Sequence, residues 1–246
     1  MIPPWLHTAS LVSLGLGAVC AVLLLVDCLR RPPHMAIMIL VWPICCLFGS
    51  LAVVWLYWTH GRAPAPSDHG DHEHQHHHHH HGSGSPKTGF ASVATDTLHC
   101  GSGCTLGDVC GETLLLFVPQ IAVWIGFPAL SCDRMFAGWI VDTVFAYGFG
   151  ILFQFFAIAP MRGLGLRDGL VAAIKADTLS LLSWQAGMFA FMAFAHYVLF
   201  ERLLGTRVSA DSPVFWFAMQ AAMLCGFATA FPMNRWLIGV GLKDGM

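Results

Sequence analysis

Six apolar stretches, each close to the length needed to cross a bilayer, decide what this chain can be. They run from about Thr8 to Leu29, Met35 to Trp58, Thr113 to Ser131, Phe136 to Ala159, Asp177 to Phe200 and Pro213 to Phe231. A helix needs about 20 mostly apolar residues to cover roughly 30 Å of hydrocarbon. Backbone groups in lipid must hydrogen-bond to one another, so these stretches are predicted as helices. The alternation of a membrane barrel is absent. Of the 246 residues, 56% are hydrophobic and only 11% charged, where a soluble domain carries roughly a quarter. The net charge of -2 offers no attraction to nucleic acid.

The expected fold is therefore all-α, a polytopic membrane helix bundle with about six transmembrane helices and a disordered His-rich loop. Residues 1–60 read as a first transmembrane helix pair and 61–94 as the His-rich linker. Residues 95–246 read as a motif segment plus a four-helix transmembrane region. The first apolar run lacks a basic start and is as long as a full span, so it reads as retained and not as a signal peptide. Six spans put both termini on one side. Arg62, Lys87, Arg162, Arg167, Lys175, Arg235 and Lys243 fall on that side, against Arg30, Arg31, Arg134, Arg202 and Arg207 on the other. That balance leans toward cytoplasmic termini.

The linker is abruptly polar. His69, His72, His74, His76, His77, His78, His79, His80 and His81 crowd it, with Asp68, Asp71 and Glu73 between them. Nothing there can bury a core, so disorder is expected. Imidazole binds Zn, Cu, Ni and Co, and a floppy tract would collect such ions weakly and with little selectivity. Six consecutive histidines before Gly82-Ser83-Gly84-Ser85 also resemble an expression tag. A low-complexity insertion without a role is the third reading.

The densest chemistry follows, in His99-Cys100-Gly101-Ser102-Gly103-Cys104-Thr105-Leu106-Gly107-Asp108-Val109-Cys110-Gly111-Glu112. Cys100, Cys104, Asp108 and Glu112 are four apart, which on a helix stacks them on one face. The glycines weaken a helix by up to about 1 kcal/mol each, and Thr105 with Asp108 resembles a capping box. On that reading the helix starts near Thr105 and His99 to Cys104 is a glycine-rich turn. Thiolates favour Cu(I) or Zn and carboxylates harder ions, so His99, Cys100, Cys104, Asp108 and Glu112 form a candidate site for Cu, Zn or Fe. The alternatives are a Cys100–Cys104 redox pair, or structural roles with the carboxylates capping the third span or pairing with Lys175 or Arg162.

Further along, Met188, Met192 and His196 repeat at four and could pass Cu(I), or simply fill gaps. Asp142 and Asp177 are carboxylates at or near membrane depth, where charge is costly unless paired or functional. Together these five make a candidate ion pathway. Gln154 and Gln220 read as interhelical hydrogen-bonding groups. Cys45 and Cys46 read as packing residues.

Four motifs carry a family resemblance: Ala173 through Ser180, His99 through Glu112, Pro232 through Trp236 with Gly241 through Met246, and Val41 through Arg62. The chain resembles the bacterial membrane family of unknown function designated DUF4396 over nearly its whole length. The resemblance implies an integral membrane protein without assigned catalytic residues, and copper-related names among some members hint at copper. The His tract departs from the family pattern.

The expected function is the handling or transport of transition metal ions, copper first, with zinc or iron as alternatives. The competing readings are a membrane thiol-redox protein using Cys100 and Cys104, a non-catalytic assembly subunit, and a proton-coupled carrier. The reading leans away from an enzyme. No phosphate-cradling loop is present, so no nucleotide cofactor is expected. The expected partners are the lipid bilayer and metal ions, with no nucleic acid, and small residues in the spans are compatible with a homo-oligomer.

Overall fold

The computed structural model describes residues 2–63, 89–128 and 133–243. The histidine tract, His69 to His81, lies outside the described residues, as does its expected disorder. The described residues fold into helices α1 (Pro4–Arg30), α2 (Met38–Leu56, extended by a π-helical turn over Tyr57–Gly61), α3 (Phe90–Phe117), α4 (Gln120–Trp124), α5 (Arg134–Arg162), α6 (Leu166–Phe194, extended by π-helical turns over Ala195–Leu203) and α7 (Pro213–Gly239). No strand occurs among them.

Five segments are long and apolar enough to cross a membrane: Pro4–Arg30, Met38–Gly61, Arg134–Arg162, Leu166–Leu203 and Pro213–Gly239. Their outward faces carry exposed Val12, Val19, Val22, Leu51, Val144 and Leu182. Water would penalise such a surface, and lipid does not. The protein is an integral membrane helix bundle.

The second apolar stretch does not cross. Ser50 has φ 39° and ψ -118°, a non-helical reversal inside α2, at a Gly-Ser pair of the kind that breaks helices. The chain turns back on itself, so a Cβ on Gly61 would lie 2.3 Å from the Trp42 ring. Tyr57 donates a hydrogen bond to Asp27 (2.9 Å), and Arg62 pairs with the same carboxylate (2.8 Å). Asp27 sits near the end of α1, where α2 begins, so both ends of α2 lie at one end of the bundle. Gly17, halfway along α1, faces the Cys46 and Leu47 carbonyls at the tip of this hairpin. Irregular backbone is tolerated at such depth only when buried in protein or lining a cavity. Here the Gln220 amide donates to the Leu47 carbonyl (2.6 Å), and Ser13 donates to the Gln220 oxygen (2.7 Å).

The third expected span is also displaced. The helix covers Phe90–Phe117, not Thr113 to Ser131, and it starts inside the stretch assigned to the linker. It ends at Val118, whose non-helical backbone (φ -127°, ψ 68°) precedes Pro119. Proline disfavours a helical residue before it and cannot supply the amide that would continue the helix. No glycine-rich turn forms at His99 to Cys104, and Thr105 caps nothing. Its hydroxyl donates back to the Gly101 carbonyl (2.8 Å) within a continuous helix.

The glycines serve close approach. A Cβ on Gly103 would come within 2.6 Å of the Gly150 backbone, and one on Gly107 within 2.4 Å of the Ala146 amide. A Cβ on Gly111 would strike the Asp142 carboxylate. This stripe of small residues lets α3 and α5 pack backbone to backbone, as small-residue interfaces do in membranes. α3 also contacts α2, α6 and α7, which makes it the inner helix of the bundle.

The remaining helices have ordinary ends. Asp133 caps α5 by accepting from the Met135 amide (3.0 Å), and Gly163 ends it with φ 60°. Ser212 caps α7, with Pro213 in its first turn. α6 begins at Leu166, ahead of the expected Asp177, and α7 runs through Pro232 to Gly239. With α2 reversed, α1, α3, α5, α6 and α7 run alternately. The first residues and Lys243 thus lie at opposite ends of the bundle, where six full crossings would have put them together.

Candidate functional site

One face of α3 carries the chemistry. Asp96, Cys100, Cys104, Asp108 and Glu112 recur every fourth residue, a line of about 24 Å at 1.5 Å per residue. The first four are fully buried. Glu112, in the last full turn of the line, is partly exposed.

At the Glu112 end, a cavity of about 340 Å³ opens between α3, α5, α6 and α7. Glu112, Asp142, Met188, Met192 and His196 all line it, with Met219 from α7. The helical repeat of Met188, Met192 and His196 thus faces one space, together with two carboxylates from other helices. At the mouth, His196 Nε2 lies 3.0 Å from Asp133 Oδ2 and 3.7 Å from Glu201, which pairs with Arg207 at 2.7 Å. Burial would raise the Asp133 carboxyl, but the Met135 amide and His196 outweigh it and hold it below the usual carboxylate range. Arg134 donates to the Leu115 carbonyl near the end of α3 (2.5 Å) and acts electrostatically on Glu112.

Asp108, just behind the cavity wall, lies close enough to Glu112 and Asp142 for the three carboxylates to act on one another. Gly111 makes this possible, because its missing side chain leaves room for the Asp142 carboxylate against α3. Neither Asp108 nor Asp142 has a hydrogen-bond partner among the described residues. Carboxylates in a low-dielectric interior need compensating positive charge, as protons or as a bound cation.

A smaller inner pocket of about 150 Å³ lies on the other side of Asp108. Thr105, Asp108, Met219, Gln220 and Met223 line it, and Leu47 and Phe48 of the α2 hairpin close it. Met219 borders both spaces.

Cys100 and Cys104 come next along the line. Both are free thiols, fully buried and in contact with each other. Cys45 donates to the Leu98 carbonyl (3.1 Å) close by.

The far end of the line holds Lys243, Asp96 and Asn234, to which the sequence alone assigned no site role. Lys243, just past α7, is fully buried. Its ammonium lies 3.1 Å from Asp177 Oδ1, 3.3 Å from Asp96 Oδ2 and 3.0 Å from the Asn234 oxygen. Asn234 in turn donates to the Thr97 hydroxyl (3.2 Å). Burial alone would lower the Lys243 ammonium, but Asp96 and Asp177 more than offset it and raise it above the usual lysine range. Continuing the four-residue repeat back from Cys100 would have found Asp96. Lys243 lies in the closing motif Gly241 through Met246, but nothing in that motif pointed to a buried ion pair.

The candidate residues therefore divide. Glu112, Asp142, Met188, Met192 and His196 meet at the cavity. Asp108 stands between the cavity and the inner pocket. His99 and Asp177 belong to the Lys243 end, where His99 feels both charges. Among the described residues, no three His, Cys, Asp or Glu side chains converge to hold a metal ion, so the set His99, Cys100, Cys104, Asp108 and Glu112 is a line and not a chelate. Lys175 is exposed and takes no part in the line.

No curated protein and no solved structure matches the chain. One family model does match, over residues 90–243, from the first residue of α3 to the buried Lys243. The resemblance therefore holds for α3 through α7, while Val41 to Arg62 and the histidine tract fall outside the matched range. With more than half of its length covered, the chain belongs to the family described as Domain of unknown function (DUF4396).

Proposed function

We propose that the protein carries transition metal ions, copper first, across a bacterial inner membrane, with one end of the path at the cavity between α3, α5, α6 and α7. The observation that carries this reading is the meeting of Glu112, Asp142, Met188, Met192 and His196 on one cavity. Thioethers favour Cu(I), imidazole suits Cu and Zn, and carboxylates supply the neutralising charge. The open arrangement of these ligands suits cargo, since conduction needs sites weak enough to release the ion. The histidine tract, by its composition, would concentrate ions for the path.

Proton coupling is the second reading, favoured by the unpartnered carboxylates of Asp108 and Asp142. Thiol exchange with an outside partner is less favoured, because Cys100 and Cys104 are fully buried.

The test is Cu(I) uptake into proteoliposomes holding the full chain, with Glu112→Gln and the pair Met188→Leu/Met192→Leu as variants. Uptake should fall about tenfold in each, the equivalent of about 1.4 kcal/mol of lost ion binding. Wild-type liposomes no faster than empty ones, or variants matching the wild type, would sink the reading. Elemental analysis with and without His69 to His81 separates loop-bound from bundle-bound metal.

A further inference from the structure

The inner pocket has a composition that packing alone does not explain. Its volume is about 150 Å³ and its lining is mostly apolar. Yet the Asp108 carboxylate borders it, fully buried, with neither oxygen hydrogen-bonded among the described residues. Buried polar atoms are normally satisfied, and an orphaned carboxylate calls for a positive partner.

The other polar and soft atoms around it converge from two helices. Thr105 and Asp108 are three apart on α3 and share a face. Met219 and Met223 are four apart on α7 and also share a face. The two faces meet where the Thr105 hydroxyl lies 3.9 Å from Met223 Sδ. Leu47 and Phe48, at the tip of the α2 hairpin, close the third side. Gln220 is engaged elsewhere, holding Ser13 and the Leu47 carbonyl, so it fixes the wall and leaves the carboxylate free.

We propose that this pocket is a second binding site, for a soft monovalent cation of the Cu(I) or Ag(I) class, held by the Asp108 carboxylate and the Met219 and Met223 thioethers. One carboxylate balances one positive charge. Two thioethers select a soft ion over Na⁺, K⁺ or Mg²⁺, which want oxygen ligands. Met219 borders the large cavity too, so it is the thioether shared by the inner site and the space lined by Met188 and Met192. The hairpin tip gives this site a wall that a straight second span would not provide. The inference rests on the proposed metal-ion function and adds a place where the ion stops.

The test uses Ag(I), which has no accessible redox change, on the full-length protein in lipid nanodiscs. Bound silver per chain is measured by equilibrium dialysis, and its neighbours by absorption at the silver edge. Asp108→Asn and Met223→Leu each touch the inner pocket and not the large cavity, and each should lose about one Ag(I) per chain, with a weaker sulfur shell in Met223→Leu. Met192→Leu should lose a different ion and leave the inner one in place. The histidine tract is present in every variant and cancels from the differences. Asp108→Asn nearly preserves shape and removes an unpaired charge, so it should fold at least as well as wild type. If it does not, Met223→Leu alone decides. No silver bound beyond what the His69 to His81 segment takes up by itself overturns the metal-ion function. Silver bound in the bundle, but undiminished in Met223→Leu, overturns only the inner site.

Discussion

The rings of Trp42 and Tyr57 lie 5.4 Å apart and nearly perpendicular, in contact across a chain that reverses between them. In an unbroken helix their fifteen-residue separation would be about 22 Å. This contact fixes the depth of the α2 hairpin and places residues 31 and 63 at the same end of the bundle.

Single cysteines at Arg31 and Ala63 should therefore be labelled from the same side of the membrane by an impermeant thiol reagent. A cysteine at Arg207, at the cavity mouth, should be labelled from the other side. A straight second span predicts opposite sides for positions 31 and 63, and that result would refute the hairpin.

Lys243 balances two buried carboxylates. Lys243→Ala should destabilise the protein by about 3–5 kcal/mol, because breaking a buried ion pair leaves uncompensated charge. Thermal unfolding in detergent reads this directly, and adding Asp177→Asn should restore part of the loss. The sign with pH follows from the raised ammonium. Its contribution is complete below the ordinary lysine range and is lost only as pH rises through the elevated folded value. The cluster should therefore hold through neutral and mildly alkaline solution.

At the mouth, the depressed Asp133 carboxyl works in the opposite direction. Its stabilising contribution is complete above the ordinary carboxylate range and fades as pH falls through the lowered folded value. The difference in melting temperature between wild type and Asp133→Asn should be constant near neutrality and shrink in acid. A difference that grew in acid would contradict the pairing of Asp133 with the Met135 amide and His196.

The α3–α5 contact predicts a contrast between two glycines. Gly107→Ala puts a methyl against the Ala146 backbone, which cannot yield. A loss of about 1–3 kcal/mol is expected from overpacking. Gly148→Ala meets open space on α5 and should be neutral or stabilising by about 0.5–1 kcal/mol. Melting curves of the two variants compare them directly.

The sequence made the helical class legible through its apolar stretches, because hydrocarbon allows few alternatives. The repeat of Met188, Met192 and His196 was also readable, since helical spacing alone places three side chains on one face. Two features were not. Hydropathy cannot tell a crossing helix from a hairpin of equal length, and the only local mark was the pair Gly49-Ser50. Nor does it recognise α3, whose glycine, serine, threonine and cysteine residues look like a turn but pack as an inner helix. Apolar Thr113 to Phe117 drew the expected span past Pro119, although the helix had begun at Phe90.

The buried lysine has a consequence for how the protein is made. Asp96 and Asp177 leave the ribosome long before Lys243, and the ammonium that bridges them arrives only when Lys243 docks. α3 is then too polar to settle alone in the bilayer. Its final seating must wait for α7 and the turn behind it, so a stretch translated long after the innermost helix is the one that locks it in place.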